Sequence, residues 1–128
     1  QLSCIFSRPT SPIWMDTSTQ IQCTEIETQI GGQDALLNLT GNTAFERFSA
    51  PQIRKFYQDD PVSYHQTSTI CLVSSFVASI LAGTPVGIDQ GDASGTNLMD
   101  ISKHTWSRIA LDATAPDLEG KLLPISNP

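Results

Sequence analysis

Residues 86–101, Val86-Gly87-Ile88-Asp89-Gln90-Gly91-Asp92-Ala93-Ser94-Gly95-Thr96-Asn97-Leu98-Met99-Asp100-Ile101, constrain the fold more than any other stretch. An apolar segment runs into small and acidic residues and then resumes as Leu98-Met99-Asp100-Ile101. Gly91, Ala93, Ser94 and Gly95 let the backbone approach another backbone or a ligand closely. The resumed run reads as a strand leaving a crowded point. A helix is expected directly afterwards, capped by Ser102 or Thr105, with Trp106, Ile109, Ala110 and Ala113 at helical spacing. The expected order is strand, tight segment, strand, helix.

Upstream, Pro12-Ile13-Trp14-Met15-Asp16 reads as a short buried strand, followed by a helix over 18–30 capped by Asp16, Thr17 or Ser18. Cys23, Ile26 and Ile30 share one face of that helix, and Gly31-Gly32 stops it. Residues 34–39 form a shorter helix ended by Gly41, and 42–50 read as loop. Ser49 and Gln52 fit a capping box for a helix whose apolar face is Ile53, Phe56 and Tyr57. Asp59-Asp60-Pro61 ends it, with one further helical turn over 61–66. Thr69–Ser74 is β-branched and apolar, as in a central strand covered on both faces. The next helix carries Phe76, Val77, Ile80 and Leu81 and closes at Gly83. The tail, 114–128, is expected to be a helical turn and then extended chain. Strands alternating with helices indicate an α/β fold, and 128 residues suggest no more than one domain.

The net charge of −6, with basic residues scattered, argues against a nucleic-acid partner. No apolar run is long enough to span a membrane. Cys4, Cys23 and Cys71 have neither disulfide nor zinc spacing. Reduced thiols and no leader-like start lead to the expectation of a cytoplasmic protein. His65 and His104 lie in polar contexts and read as solvated surface residues.

No complete catalytic constellation is present. Asp89, Asp92 and Asp100 are acid/base candidates by type, but Asp92 in the tight segment suits fixing a turn, and Asp100 before Ile101-Ser102 suits a turn or cap. Ala44-Phe45-Glu46-Arg47-Phe48 places an arginine between two aromatics beside an acid. The aromatics would wall off and aim its donor fork, which either pairs with Glu46 or hydrogen-bonds a polyol or phosphate. Trp14 belongs either to the core or to a cleft, packed on the C–H face of a sugar.

Five blocks, Pro12–Thr19, Phe45–Ile53, Leu72–Ser79, Gly91–Ile101 and Trp106-Ser107, resemble the FGGY carbohydrate kinase family in order and spacing, over about residues 12–123. Glu46-Arg47-Phe48 resembles the animal form more than the bacterial one, whose signature has lysine and tryptophan where this chain has Gln52 and Lys55. The resemblance implies part of an actin-like, ribonuclease-H-like ATPase domain of a two-domain sugar kinase. It implies transfer of the ATP γ-phosphoryl group, with Mg²⁺, to the 5-hydroxyl of D-xylulose. The alternatives are a kinase for ribulose, gluconate or glycerol, or a non-catalytic binding or scaffold domain that kept the fold. By resemblance, Arg47 is a sugar-binding residue and Trp14 lies near the sugar pocket. Asp92 precedes the family's catalytic motif and is not its base. The glycine-rich phosphate loop, the catalytic aspartate and the C-terminal nucleotide domain are not matched within residues 1–128. The chain is therefore expected to be an internal piece of the N-terminal domain, inactive alone.

Overall fold

The computed structural model describes residues 5–126. Four helices form the larger core. Helix α1 (Gln20–Ile30) packs against α2 (Gln33–Thr40), α3 (Ser49–Asp59) and α7 (Arg108–Thr114). Ile26, Leu36, Ala50, Ile53, Phe56, Leu98, Ala110, Leu111 and Leu118 are buried between them. Helix α1 ends at Gly31, whose φ of 111° is open to glycine and strained for other residues. A short helix, α4 (Pro61–Gln66), follows α3, with the Asp60 side chain accepting from the Ser63 backbone N–H. It delivers Tyr64 fully buried into the core, its hydroxyl donating to the Pro116 carbonyl at 2.8 Å.

The second cluster is smaller. Ile88, Ala93 and Met99 pack with Leu72, Trp106 and Ile125. Around it lie helix α5 (Val73–Ala82), strand β1 (Ile88–Asp89), helix α6 (Gln90–Ser94), strands β2 (Met99–Asp100) and β3 (Thr105–Trp106), and β4 (Ile125–Ser126) after a 3₁₀ turn at Leu118–Lys121. Strand β1 pairs parallel with β4, Ile88 opposite Ile125. Strand β2 pairs antiparallel with β3, Met99 opposite Trp106. Among the described residues, no helix is long and apolar enough to cross a membrane.

Several local expectations are corrected. Pro12–Asp16 forms an exposed turn instead of a buried strand, closed by the Asp16 N–H donating to the Ile13 carbonyl at 3.0 Å. Thr69–Ser74 is not a central strand: it makes one parallel bridge, Ile70 to Leu122, and the helix already begins at Val73. The apolar side chains of α5 remain largely exposed, because no described element lies over Val77, Ile80 or Leu81. After β2 the chain makes a tight turn, with His104 at φ 56°, and pairs back as β3. Trp106 therefore lies in a strand, and Ser107, not Ser102 or Thr105, caps α7 by accepting from the Ala110 N–H.

Candidate functional site

The structure brings two distant turns together. In one, the Phe48 N–H donates to the Phe45 carbonyl at 2.9 Å, placing Glu46 and Arg47 at its tip. In the other, Ile13–Asp16 carries Trp14, which is 73% exposed. The Arg47 guanidinium carbon lies 5.3 Å from the Trp14 ring centroid and 5.6 Å from that of Phe45. The two aromatics that flank the guanidinium are thus Phe45 and Trp14. Phe48 instead packs edge-on against Phe45, at 5.6 Å and 65°. Among the described residues, no carboxylate lies within ion-pair distance of Arg47, so Glu46 is not its partner.

Hydrogen bonds that local sequence reading misses hold this corner. The Glu46 carbonyl accepts from the Thr19 hydroxyl at 2.7 Å and from the Gln52 side-chain amide at 3.0 Å. The same amide donates to the Asp16 carboxylate at 3.0 Å. No side chain caps α3: Phe48 occupies the N-cap position and Gln52 makes these longer-range contacts, so the capping box is not formed. The Ala44 N–H donates to Glu27 at 3.1 Å, fixing the start of the Arg47 turn to α1. Buried Asn97 donates to the Asn42 and Thr43 carbonyls at 3.4 and 3.3 Å. The Asp16 carboxyl is held down to about 2, first by the Ser18 hydroxyl, then by the Ser18 backbone N–H and the Gln52 amide. Burial, followed by the charge of Glu46, pushes the Cys23 thiol up to about 11, so it is not a poised nucleophile.

The acidic hub residues have structural contacts. Asp89, not Asp92, caps α6 by accepting from the Asp92 N–H at 3.1 Å. Asp92 accepts from the Ser74 hydroxyl at 2.6 Å. Asp100 closes the β2–β3 turn by accepting from the backbone N–H groups of Ser102 and Lys103. His65 and His104 are both exposed. Among the described residues, no group of three or more His, Cys, Asp or Glu is placed to hold a metal ion.

Residues 10–126 match the N-terminal domain of the FGGY family of carbohydrate kinases. The chain is 53% identical over 122 residues to xylulose kinase 2 of Arabidopsis thaliana, covering 95% of this chain and 22% of the relative. It is 48% identical over 122 residues to xylulose kinase of Rattus norvegicus, covering 95% of this chain and 23% of the relative. The chain thus spans less than a quarter of the length of these relatives. Among solved structures, a xyloylose kinase from Brucella ovis superposes with a TM-score of 0.77 at 23% identity, covering 89% of this chain and 22% of that one. Plasmodium falciparum glycerol kinase with ADP gives 0.74 at 18% identity, covering 94% and 29%. These likenesses establish the fold as part of the α/β, actin-like ATPase fold of sugar kinases. With the exposed arginine–aromatic corner inside the matched residues and the match covering nearly the whole sequence, the chain belongs to the FGGY family of carbohydrate kinases, in its N-terminal domain.

Proposed function

We propose that this chain is a segment of a cytoplasmic, ATP-dependent kinase that phosphorylates D-xylulose to D-xylulose 5-phosphate, and that Arg47 and Trp14 bind the sugar. The observation that carries the reading is the Arg47 guanidinium, without an ion-pair partner among the described residues and held at an exposed corner between Trp14 and Phe45. A planar fork of N–H donors matches the hydroxyl and carbonyl oxygens of a small ketose, and an indole face accepts the apolar C–H side of the same molecule. The names of the relatives that are 48–53% identical favour D-xylulose over other polyols.

Among the described residues no group of three or more His, Cys, Asp or Glu is placed to hold a metal ion, so none of them is assigned to Mg²⁺. In this reading, the phosphate loop, the catalytic aspartate and the nucleotide site belong to the remainder of the longer kinase, and residues 1–128 alone are inactive. The chemistry assigned to this chain is binding and orienting the sugar.

The test is Arg47→Ala in the full-length kinase. Loss of charge-assisted donors aimed at the substrate should raise KM for D-xylulose about 10- to 100-fold and leave KM for ATP unchanged. Unchanged sugar kinetics would remove the reading. A panel of D-xylulose, ribulose, gluconate and glycerol tests the substrate, and a preference for any of the last three would replace D-xylulose.

A further inference from the structure

We infer that Gln52 is a positioning residue for sugar recognition, its side-chain amide locking the turn that carries Trp14 to the turn that carries Arg47. The inference rests on the assignment of these two residues to the sugar. Trp14 and Arg47 meet only across a 5.3 Å contact between an exposed ring and a guanidinium, which does not by itself fix where either points. Their order must come from the backbones beneath them.

Gln52 is the side chain that touches both. It lies in the first turn of α3, a rigid platform in the main core. Its Nε2 donates to the Asp16 carboxylate at 3.0 Å, to the Asp16 carbonyl at 3.4 Å and to the Glu46 carbonyl at 3.0 Å. Asp16 closes the Trp14 turn, and Glu46 immediately precedes Arg47. One amide therefore spans two segments thirty residues apart in sequence. Thr19, fully buried at the head of α1, donates to the same Glu46 carbonyl at 2.7 Å.

Asp16 is well suited to the role. It already accepts from the Ser18 N–H at 2.9 Å and from the Ser18 hydroxyl at 2.6 Å, so it stays ionised and makes a strong acceptor for the amide. Every atom that Gln52 Nε2 faces is an acceptor, so position 52 requires a donor. A leucine would fill the space and tie nothing. A glutamate would set an anion against a carboxylate and two carbonyls. A lysine would present N–H donors to the same oxygens.

The experiment compares Gln52→Leu, Gln52→Glu and Gln52→Lys in the full-length kinase, with Arg47→Ala in parallel. The expected result is a rise of about tenfold in KM for D-xylulose in the leucine and glutamate variants, with KM for ATP unchanged and recovery to within about threefold in the lysine variant. Wild-type KM for D-xylulose in Gln52→Leu, whatever its melting temperature, would overturn the inference and leave Gln52 a merely structural residue. A second readout is independent of activity: the ¹⁹F resonance of 5-fluorotryptophan at position 14, assigned through Trp14→Phe. It should shift in Gln52→Leu and stay in place in Gln52→Lys, and an unmoved resonance in the leucine variant also overturns the inference. If Arg47→Ala raises KM and Gln52→Leu does not, only the positioning role falls. If Arg47→Ala has no effect while the resonance shifts in Gln52→Leu, the lock stands and the sugar assignment falls. Should Gln52→Leu fail to fold, the contrast between glutamate and lysine carries the same test.

Discussion

Asn97 offers the sharpest test of how the Arg47 loop is anchored. It is 1% exposed and sits at φ 60°, a conformation that costs most residues with a Cβ about 1–2 kcal/mol. Its amide donates to the Thr40 hydroxyl and to the Asn42 and Thr43 carbonyls at 3.3–3.4 Å, while its Oδ1 has no partner among the described residues. Asn97→Gly removes these long bonds without straining the backbone, so it should cost about 1 kcal/mol. Asn97→Ala removes the same bonds and adds the left-handed penalty, for about 2–3 kcal/mol in all. Asn97→Asp replaces donors by acceptors facing carbonyls in a dry site, and should cost about 3 kcal/mol or more at neutral pH. Burial without donors raises the folded-state pKa of that aspartate above its unfolded value. Its contribution is therefore least unfavourable below about pH 4, where it is protonated and can donate, and worsens as pH rises through the folded pKa. Urea midpoints followed by far-ultraviolet circular dichroism at pH 5 and pH 8 measure all three variants. Equal midpoints for alanine and glycine would refute the backbone argument. An aspartate deficit that does not grow between the two pH values would refute the side-chain argument.

The parts of this fold that were legible in the sequence are those set by local chemistry. Helices α1 to α5 follow from apolar spacing punctuated by glycine and by Asp59-Asp60-Pro61, signals that lie within one element. Strands β1 and β2 fall inside the stretch where strands are expected, but their partners do not follow from it: Ile88 pairs with distant Ile125, and Met99 pairs with Trp106 across a turn that a helical reading of 102–113 passes over. Pro12–Asp16 and the α5 face show a second limit. Hydropathy identifies an apolar surface but not the element that covers it, and both are exposed here. At the site, the position of Arg47 between aromatics was readable, but which aromatics was not: Trp14 lies 33 residues away in sequence. Ser49-x-x-Gln52 has the form of a capping box, but the Gln52 amide is taken by Asp16 and Glu46. Asp89 and Asp92 are the same residue type three positions apart, and only the helix start at Gln90 decides which one caps.

Two further outcomes follow from close contacts and charge. A Cβ at Gly87 would sit 2.5 Å from the Pro124 carbonyl oxygen and would also meet the Ser126 hydroxyl, so Gly87→Ala should separate β1 from β4 at a cost of about 1–3 kcal/mol. The check is the thermal midpoint, and adding Ser126→Gly should not restore it, because the carbonyl remains. Asp100 predicts the acid limb of stability. The Ser102 hydroxyl and the Lys103 ammonium, helped by the backbone N–H groups of both residues, hold its carboxyl down to about 2 from an ordinary 3.8. A depressed folded-state pKa means that the stability it contributes is fully present above about pH 4 and is lost as pH falls towards about 2. Asp100→Asn keeps the shape and removes the charge, so its urea midpoint should lie below wild type at pH 6. The gap should close as pH falls through that window, since protonated wild type and variant then both present a neutral side chain to the turn. Asp16 titrates over the same range but is present in both proteins, so it cancels in the difference. A gap that stays constant from pH 6 to pH 2 would mean that Asp100 acts through shape alone, and the charge-assisted account of the β2–β3 turn would be wrong.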